Sequence, residues 1–174
     1  MKKLMYLLAI ATAIAMPSCR NNSKSPAGNT DSTANADNDK KDQIMEKRII
    51  NPWAYQDNFG YVQAVEIKNP QGTLYCSGQA ALDAQGKPNS ADMPGQLAQS
   101  LENLETVIAK SGYRCQDIVR LNFYTTSVPE TLACWEIFTT WASKHGVRQT
   151  STMVEVKALF IESLKVEIEA TVVK

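Results

Sequence analysis

The side chains that could most readily take part in catalysis are a carboxylate near the end of the chain and one cysteine–histidine pair. Apolar and polar residues alternate from Leu164 onwards, which places Glu167 on the polar face of a predicted strand. A carboxylate in a cleft could position a water molecule or accept a proton. The alternation alone favours a solvated surface carboxylate, so a site role for Glu167 needs further support.

The cysteine–histidine pair is Cys134 and His145, and His145 is the single histidine of the chain. The two residues lie eleven positions apart on one predicted helix, a separation of about 16 Å along the axis. A nucleophilic thiol has to contact its base, so we reject thiol catalysis by this pair. The cysteines also lack the paired spacing of a structural zinc site, and neither a metal ion nor a cofactor is expected.

The charge of the chain gives no indication of a nucleic-acid partner. Its 174 residues include 18 Lys and Arg and 18 Asp and Glu, for a formal net charge of zero. The basic residues are scattered along the sequence, whereas nucleic-acid-binding proteins concentrate them on one surface.

The amino terminus has the pattern of a bacterial lipoprotein signal. Lys2 and Lys3 precede an apolar run over residues 4–16, which is too short to span a bilayer but typical of a signal peptide. Cys19 follows the run and is the expected acylation site, although Met16 and Pro17 fit the usual lipobox poorly. The alternative is cleavage after Ala15, with Cys19 incidental.

This pattern divides the chain into three parts: a lipoprotein signal peptide over 1–19, a disordered tether over 20–44 and one domain over 45–174. The second part is rich in Asn, Ser, Asp, Lys and Ala, and it cannot bury enough apolar surface to fold. A polar coil of this length spans roughly 25–30 Å. The expected location is therefore the cell envelope, lipid-anchored, on the periplasmic side or at the outer membrane.

Three further cysteines, Cys76, Cys115 and Cys134, lie in the domain. An odd number in an oxidising compartment leaves at least one free thiol or one that pairs between chains. Each has apolar neighbours, which favours buried thiols.

The first part of the domain is predicted to be β-structure. Residues 61–67 and 73–81 have strand character, and the turn signal over 69–72 (Asn-Pro-Gln-Gly) predicts a hairpin. A short strand over 47–50 precedes them, and a polar loop over 83–94 follows.

Two helices and three strands complete the pattern. The first helix has apolar residues at helical spacing and stops near Gly112; they are Leu97, Leu101, Leu104 and Ile108. A strand over 118–125 comes next. The second helix opens with a possible capping box, Ser127 to Glu130 around Pro129, and it is expected to bury Leu132, Phe138 and either Trp135 or Trp141. Two strands follow, and the last one directs Leu164, Val166, Ile168, Ala170 and Val172 to one face.

The order β-β-β-α-β-α-β-β predicts an α+β domain with two helices on one face of a mixed sheet. The other face is half polar, with Gln63, Ser77, Asn122, Glu155 and Glu167 interleaved with apolar residues. Such a face could serve as an oligomer interface and a ligand site.

Five segments, in order, resemble the RidA (YjgF) family. They are GYVQAV over 60–65, YCSGQ over 75–79, QSLENL over 99–104, DIVR over 117–120, and the carboxy-terminal STMVEV…VEIEA over 151–170. The resemblance implies a chorismate-mutase-like fold with a mixed six-stranded sheet, a homotrimer, and ligand clefts between subunits. It also assigns the cleft roles to Tyr61 as a lining residue, Gly78 through nearby backbone groups, and Glu167 as the group that positions the attacking water.

One family position departs from the pattern in a way that bears on chemistry. Deaminating members hold the carboxylate of a 2-imino acid with an arginine four residues before the glutamate of V-E-V; Glu155 is that glutamate, and Ser151 stands at the arginine position. An arginine offers two parallel charged donors, whereas a serine offers one neutral hydroxyl. Arg148 could substitute for the missing charge, although a solvated loop arginine is the stronger alternative.

The other departures point to a more apolar pocket. Met153 replaces the family's cysteine, Trp135 replaces a small polar residue, and the loop over 157–163 lacks the usual Leu-Pro and is one residue longer. Some relatives are described as ribonucleases, but this chain has no basic groove, histidine pair or series of stacking aromatics.

Two functions of different classes follow from the resemblance. The first is a binding module for a small, fairly apolar metabolite in inter-subunit clefts, with the usual imine deaminase activity doubtful. The second is a hydrolase of imines or enamines that acts on a substrate without a carboxylate, using Glu167 and a water molecule. Whether the protein is an enzyme remains open at this point.

Overall fold

A computed structural model describes residues 44–174. The expected signal segment, Cys19 and the tether up to residue 43 lie outside the described residues. Within 44–174, no helix combines the length and the apolar character needed to cross a bilayer.

Six strands form two sheets. The strands are β1 (Glu46–Ile50), β2 (Ala64–Lys68), β3 (Thr73–Ala80), β4 (Ile118–Thr125), β5 (Thr150–Glu155) and β6 (Val166–Val173). β1 and β2 pair antiparallel, and the other four form a mixed sheet in the order β3-β6-β4-β5, in which β4 and β5 run parallel. The predicted α+β class and the number of strands are confirmed, but the six strands form two sheets and not the single six-stranded sheet that was expected.

The predicted hairpin between the second and third strands is wrong in detail. β2 pairs with β1, and β3 pairs with β6. The connection over 69–72 is bound to the end of β6, because the N–H groups of Gln71 and Gly72 donate to the carbonyl of Lys174 at 2.6 and 2.7 Å. Asn69 adopts a left-handed φ of 50° there. The turn therefore joins two sheets.

The helices are α1 (Met93–Lys110), α2 (Val128–Ala133) and α3 (Glu136–His145). α1 begins where the Asp92 side chain accepts a hydrogen bond from the N–H of Gly95 at 3.2 Å. It ends at Ser111, and Gly112 follows with a left-handed φ of 75°. The four apolar residues that predicted this helix are all buried.

The second predicted helix is two helices with a break at Cys134 and Trp135. Ser127 caps α2 by accepting from the N–H of Glu130 at 3.3 Å, as predicted. Phe138 and Trp141 are buried, but Leu132 is 44% exposed, so its predicted burial was wrong. α2 has only six residues, and the break after it leaves Leu132 at the surface.

The core lies between the four-stranded sheet and the helices. β6 contributes its predicted face, on which Val166, Ile168, Ala170 and Val172 are buried. Leu121 and Phe123 of β4 share that face and are fully buried. The alternation in the sequence therefore identified the core side of β6 correctly.

The three cysteines in the described residues are buried free thiols, as expected. Burial raises the pKa of the Cys115 thiol to about 11. A thiol with such a pKa is almost wholly protonated at neutral pH and is a poor nucleophile.

Candidate functional site

An open pocket of about 220 Å³ lies at the β5 edge of the four-stranded sheet. Six residues line it: Phe59, Tyr61, Leu132, Trp135, Ser151 and Met153. Four of them were predicted site residues, namely Tyr61, Trp135, Ser151 and Met153. The structure therefore brings these four residues together in the lining of one pocket, within a single chain.

The pairing of β4 with β5 sets the direction of Ser151 and Met153. Ser151 lies beside Leu121 and Met153 beside Phe123, so both point to the face that carries the helices. Trp135 approaches the same place from the break between α2 and α3. Its indole N–H donates to the carbonyl of Phe59 at 3.0 Å.

An aromatic cluster packs against this pocket on its core side. The Trp135 ring lies 4.6 Å from that of Phe138 and 5.0 Å from that of Phe123, measured between ring centroids. The edge-on arrangement of Phe123 against both rings is a favoured geometry for aromatic pairs. The pocket wall is consequently continuous with the hydrophobic core.

The hydroxyl proton of Ser151 is already engaged inside the protein. The Ser151 hydroxyl donates to the carbonyl of Leu121 at 3.1 Å. Removal from water raises the pKa of Tyr61, and the nearby Tyr55 raises it further, while Gln63 opposes the rise. None of the six lining residues carries a charge at neutral pH.

Arg148 was a candidate for the missing cation, but it lines a different cavity. That cavity has a volume of about 430 Å³, and Asn51, Asp57 and Ser143 are among its other lining residues. Tyr61 forms a wall of both cavities. Arg148 and Ser151 therefore line different cavities of the chain, in keeping with the stronger alternative of a loop arginine outside the pocket.

Glu167 and Gly78 do not reach the pocket either. Glu167 pairs with Tyr124 on β4, and Tyr124 alternates with Phe123, so Glu167 lies on the sheet face opposite Ser151. A Cβ at residue 78 would collide with the carboxylate of Glu167. Gly78 thus leaves the space that this carboxylate occupies, and it also borders a separate cavity of about 370 Å³ next to α1.

The face of Glu167 carries a polar cluster that sequence reasoning did not identify. The side-chain amide of Asn122 and the hydroxyl of Tyr124 both donate to Oε1 of Glu169, at 2.6 and 3.0 Å. The hydrogen bond to Glu169 is the main cause that raises the pKa of Tyr124. Polar residues at alternate positions of β4 were the signal that could have predicted this cluster.

Glu155 had been placed on this face, but it lies with Thr125 on the helix side and accepts from the N–H of Val128 at 2.9 Å.

Sequence reasoning also missed Phe59 and Leu132 as pocket residues. Phe59 is 46% exposed and belongs to a short 3-10 helix, Tyr55–Phe59, just before Tyr61. The aromatic-rich stretch that contains it was a usable signal. Across residues 44–174, no group of three or more His, Cys, Asp or Glu side chains is placed to hold a metal ion.

Comparison with known proteins connects this geometry to one family. The sequence profile described as Endoribonuclease L-PSP matches residues 54–174. A crystal structure of the Rid-family protein YyfB from Yersinia pestis superposes with a TM-score of 0.66 at 31% identity, covering 74% of this chain and 98% of that one.

Two Escherichia coli proteins extend the comparison. The structure of TdcF with bound serine has a TM-score of 0.55 at 28% identity and covers 66% of this chain and 87% of that chain. The protein named 2-iminobutanoate/2-iminopropanoate deaminase is 24% identical over 114 residues, which is 66% of this chain and 87% of its own length.

Proposed function

Because this chain belongs to the Endoribonuclease L-PSP family, which includes RidA, we propose that it binds a small uncharged metabolite in clefts between the subunits of a homotrimer. The observation that carries the proposal is the composition of the pocket. Tyr61, Trp135 and Met153 surround Ser151, and the wall contains no charged residue. Transfer of a charged ligand from water into such a wall is costly unless an opposite charge compensates it.

The candidate site residues lie on two opposite faces of the sheet, which supports a cleft shared between chains. The pocket lies on one sheet face, and Glu167 with Gly78 lies on the other. One chain cannot apply both to the same small molecule. A second copy that places its Glu167 face against the pocket of the first would complete the cleft. Three copies that repeat this contact would close into a ring with cyclic symmetry.

The trimer is tested by mass. Light scattering on residues 42–174 at micromolar concentration should give three times the mass of one chain, because the polar face of the sheet and the open pocket both gain a partner. The exposed Tyr75 and Val154, at 79% and 41%, are further apolar groups that an assembly would cover. A monomer at this concentration would refute the shared cleft.

The name of the family mentions an endoribonuclease, but RNA cleavage is not the proposed activity. The single histidine, His145, lies 3.2 Å from the carboxylate of Glu105, and its ring packs at a tilt against that of Trp141. It is therefore held between α1 and α3, and it is not among the residues that line the pocket.

We place the protein in the cell envelope, anchored through Cys19. The basis is the sequence pattern of residues 1–19 and the polar segment that follows. Cells that make the Cys19→Ala protein should release it from the membrane fraction, whereas the wild-type protein should remain there. A Cys115→Ala protein, which removes a buried thiol, is the matched control and should stay with the membranes. If the wild-type protein is already soluble, the lipid anchor is wrong.

A further inference from the structure

The hydrogen bonds in the pocket determine which kind of ligand it can recognise. Ser151 has one hydroxyl proton, and it is used in the 3.1 Å bond to the carbonyl of Leu121. What remains towards the pocket is the pair of lone pairs on Oγ, which can accept but not donate. Ser151 therefore recognises a hydrogen-bond donor.

The indole donor of the pocket is also engaged. The indole N–H of Trp135 donates to the carbonyl of Phe59 at 3.0 Å. The Tyr61 hydroxyl is the remaining polar group of the wall, and it can both donate and accept. Two of the three side-chain donors in the wall, those of Ser151 and Trp135, are therefore unavailable to a ligand that needs to receive a hydrogen bond.

The shape and composition of the wall indicate a flat ring. Three of the six lining residues are aromatic, and Met153 adds a polarisable sulfur that packs well against aromatic rings. The pocket volume of about 220 Å³ is below the range of about 300–1,000 Å³ that is typical for drug-sized ligands. One or two fused rings fill such a space.

We propose that the pocket takes a neutral planar ring that carries an N–H or O–H donor, of the indole or phenol class, with the donor directed at Oγ of Ser151. This inference rests on the proposed binding function and specifies its ligand. The ring lies among Phe59, Tyr61 and Trp135, and the donor hydrogen meets the lone pairs of Ser151 Oγ.

Three probes of similar size test the two parts of the proposal by ligand-observed NMR titration of the full-length protein. Indole has the ring and the donor, benzofuran has the ring without a donor, and cyclohexanol has a donor without a planar ring. Indole should bind about 3- to 10-fold more tightly than benzofuran, the effect expected for one neutral hydrogen bond. Cyclohexanol should bind more weakly than indole.

Variants identify the acceptor. Ser151→Ala should lower the affinity for indole to that for benzofuran and leave benzofuran unchanged. Ser151→Thr keeps the hydroxyl and should keep the preference. Thr152→Ala is the matched control, because Thr152 is exposed and alternates with Ser151 towards the opposite face of β5.

The outcomes separate the ligand class from the binding function. Equal affinity for indole and benzofuran, or an indole preference that survives Ser151→Ala, would overturn the role of Ser151. Tighter binding of cyclohexanol than of indole would overturn the planar ring and leave the binding function standing. If none of the three probes binds, the proposed function fails together with this inference.

Discussion

The purified protein is expected to hydrolyse 2-iminobutyrate and 2-aminoacrylate about 30- to 1,000-fold more slowly than an arginine-containing relative. A lost charge-assisted contact costs on the order of 2–4 kcal/mol, and each 1.36 kcal/mol of barrier is about tenfold in rate. The structure strengthens the argument, because the hydroxyl proton of Ser151 is already bonded to Leu121. A substrate carboxylate would meet oxygen lone pairs and an uncharged wall.

The assay forms the imine from an amino acid with an oxidase and traps what the protein leaves unhydrolysed. Ser151→Arg should restore part of the activity, since the new guanidinium would point into the pocket from β5. Thr152→Arg is the matched control: it adds the same charge one residue away, on the other face of the strand, and should restore nothing. Restoration by both variants would show that general charge, and not position, is responsible.

Wild-type turnover equal to that of the relative would contradict the prediction. In that case Arg148→Gln is the informative variant, because Arg148 is the cation that lines the cavity on the other side of Tyr61. The same assay run with an imine that lacks a carboxylate tests the hydrolase alternative. Turnover of that imine, lost in Glu167→Gln, would favour hydrolysis over binding alone.

Replacement of Phe138 by alanine is expected to lower the free energy of unfolding by about 3–5 kcal/mol. Phe138 is fully buried and contacts the rings of Phe123, Trp135 and Trp141. Its removal leaves a cavity that these rings cannot fill by small shifts, because each is fixed by another contact. Since a domain has about 5–15 kcal/mol of stability in total, the loss is a large fraction.

Urea unfolding followed by circular dichroism, at one fixed protein concentration, measures this effect. Phe160→Ala is the control, because Phe160 is 72% exposed in the loop between β5 and β6 and should change stability by less than about 0.5 kcal/mol. A similar small effect of Phe138→Ala would mean that the aromatic cluster does not support the pocket as described.

The elements that sequence predicted best are those that have a strict period and one solvated side. α1 is identified by four apolar residues at helical spacing, and β6 by its alternation. Both signals are local, because each element carries polar residues on its exposed face regardless of which other element it packs against. The second helix was predicted less well, since Leu132 fits the helical period but lies just before the break at Cys134.

The site was harder to predict because it depends on register between distant strands. The sequence pattern shows that Ser151 and Glu167 each point away from their neighbours on the same strand. It does not show whether the two side chains lie on the same face of the sheet. That relation is set by the pairing of β4 with both β5 and β6, which places Leu121 beside Ser151 and Tyr124 beside Glu167. In the same way, Arg148 is three residues from Ser151 in sequence, yet the two residues line different cavities, which have Tyr61 as a shared lining residue.

The position of Ser151 and Glu167 on opposite faces of one sheet has a genetic consequence. In an assembly whose cleft takes one face from each of two chains, a substitution at either residue damages one wall of each cleft and leaves the other wall sound. Two alleles, one altered at Ser151 and the other at Glu167, would then complement each other in the same cell. With random mixing, about one cleft in four would receive both intact walls. Alleles altered on the same face would show no such rescue, so the pattern of complementation between alleles would reveal which residues share a wall.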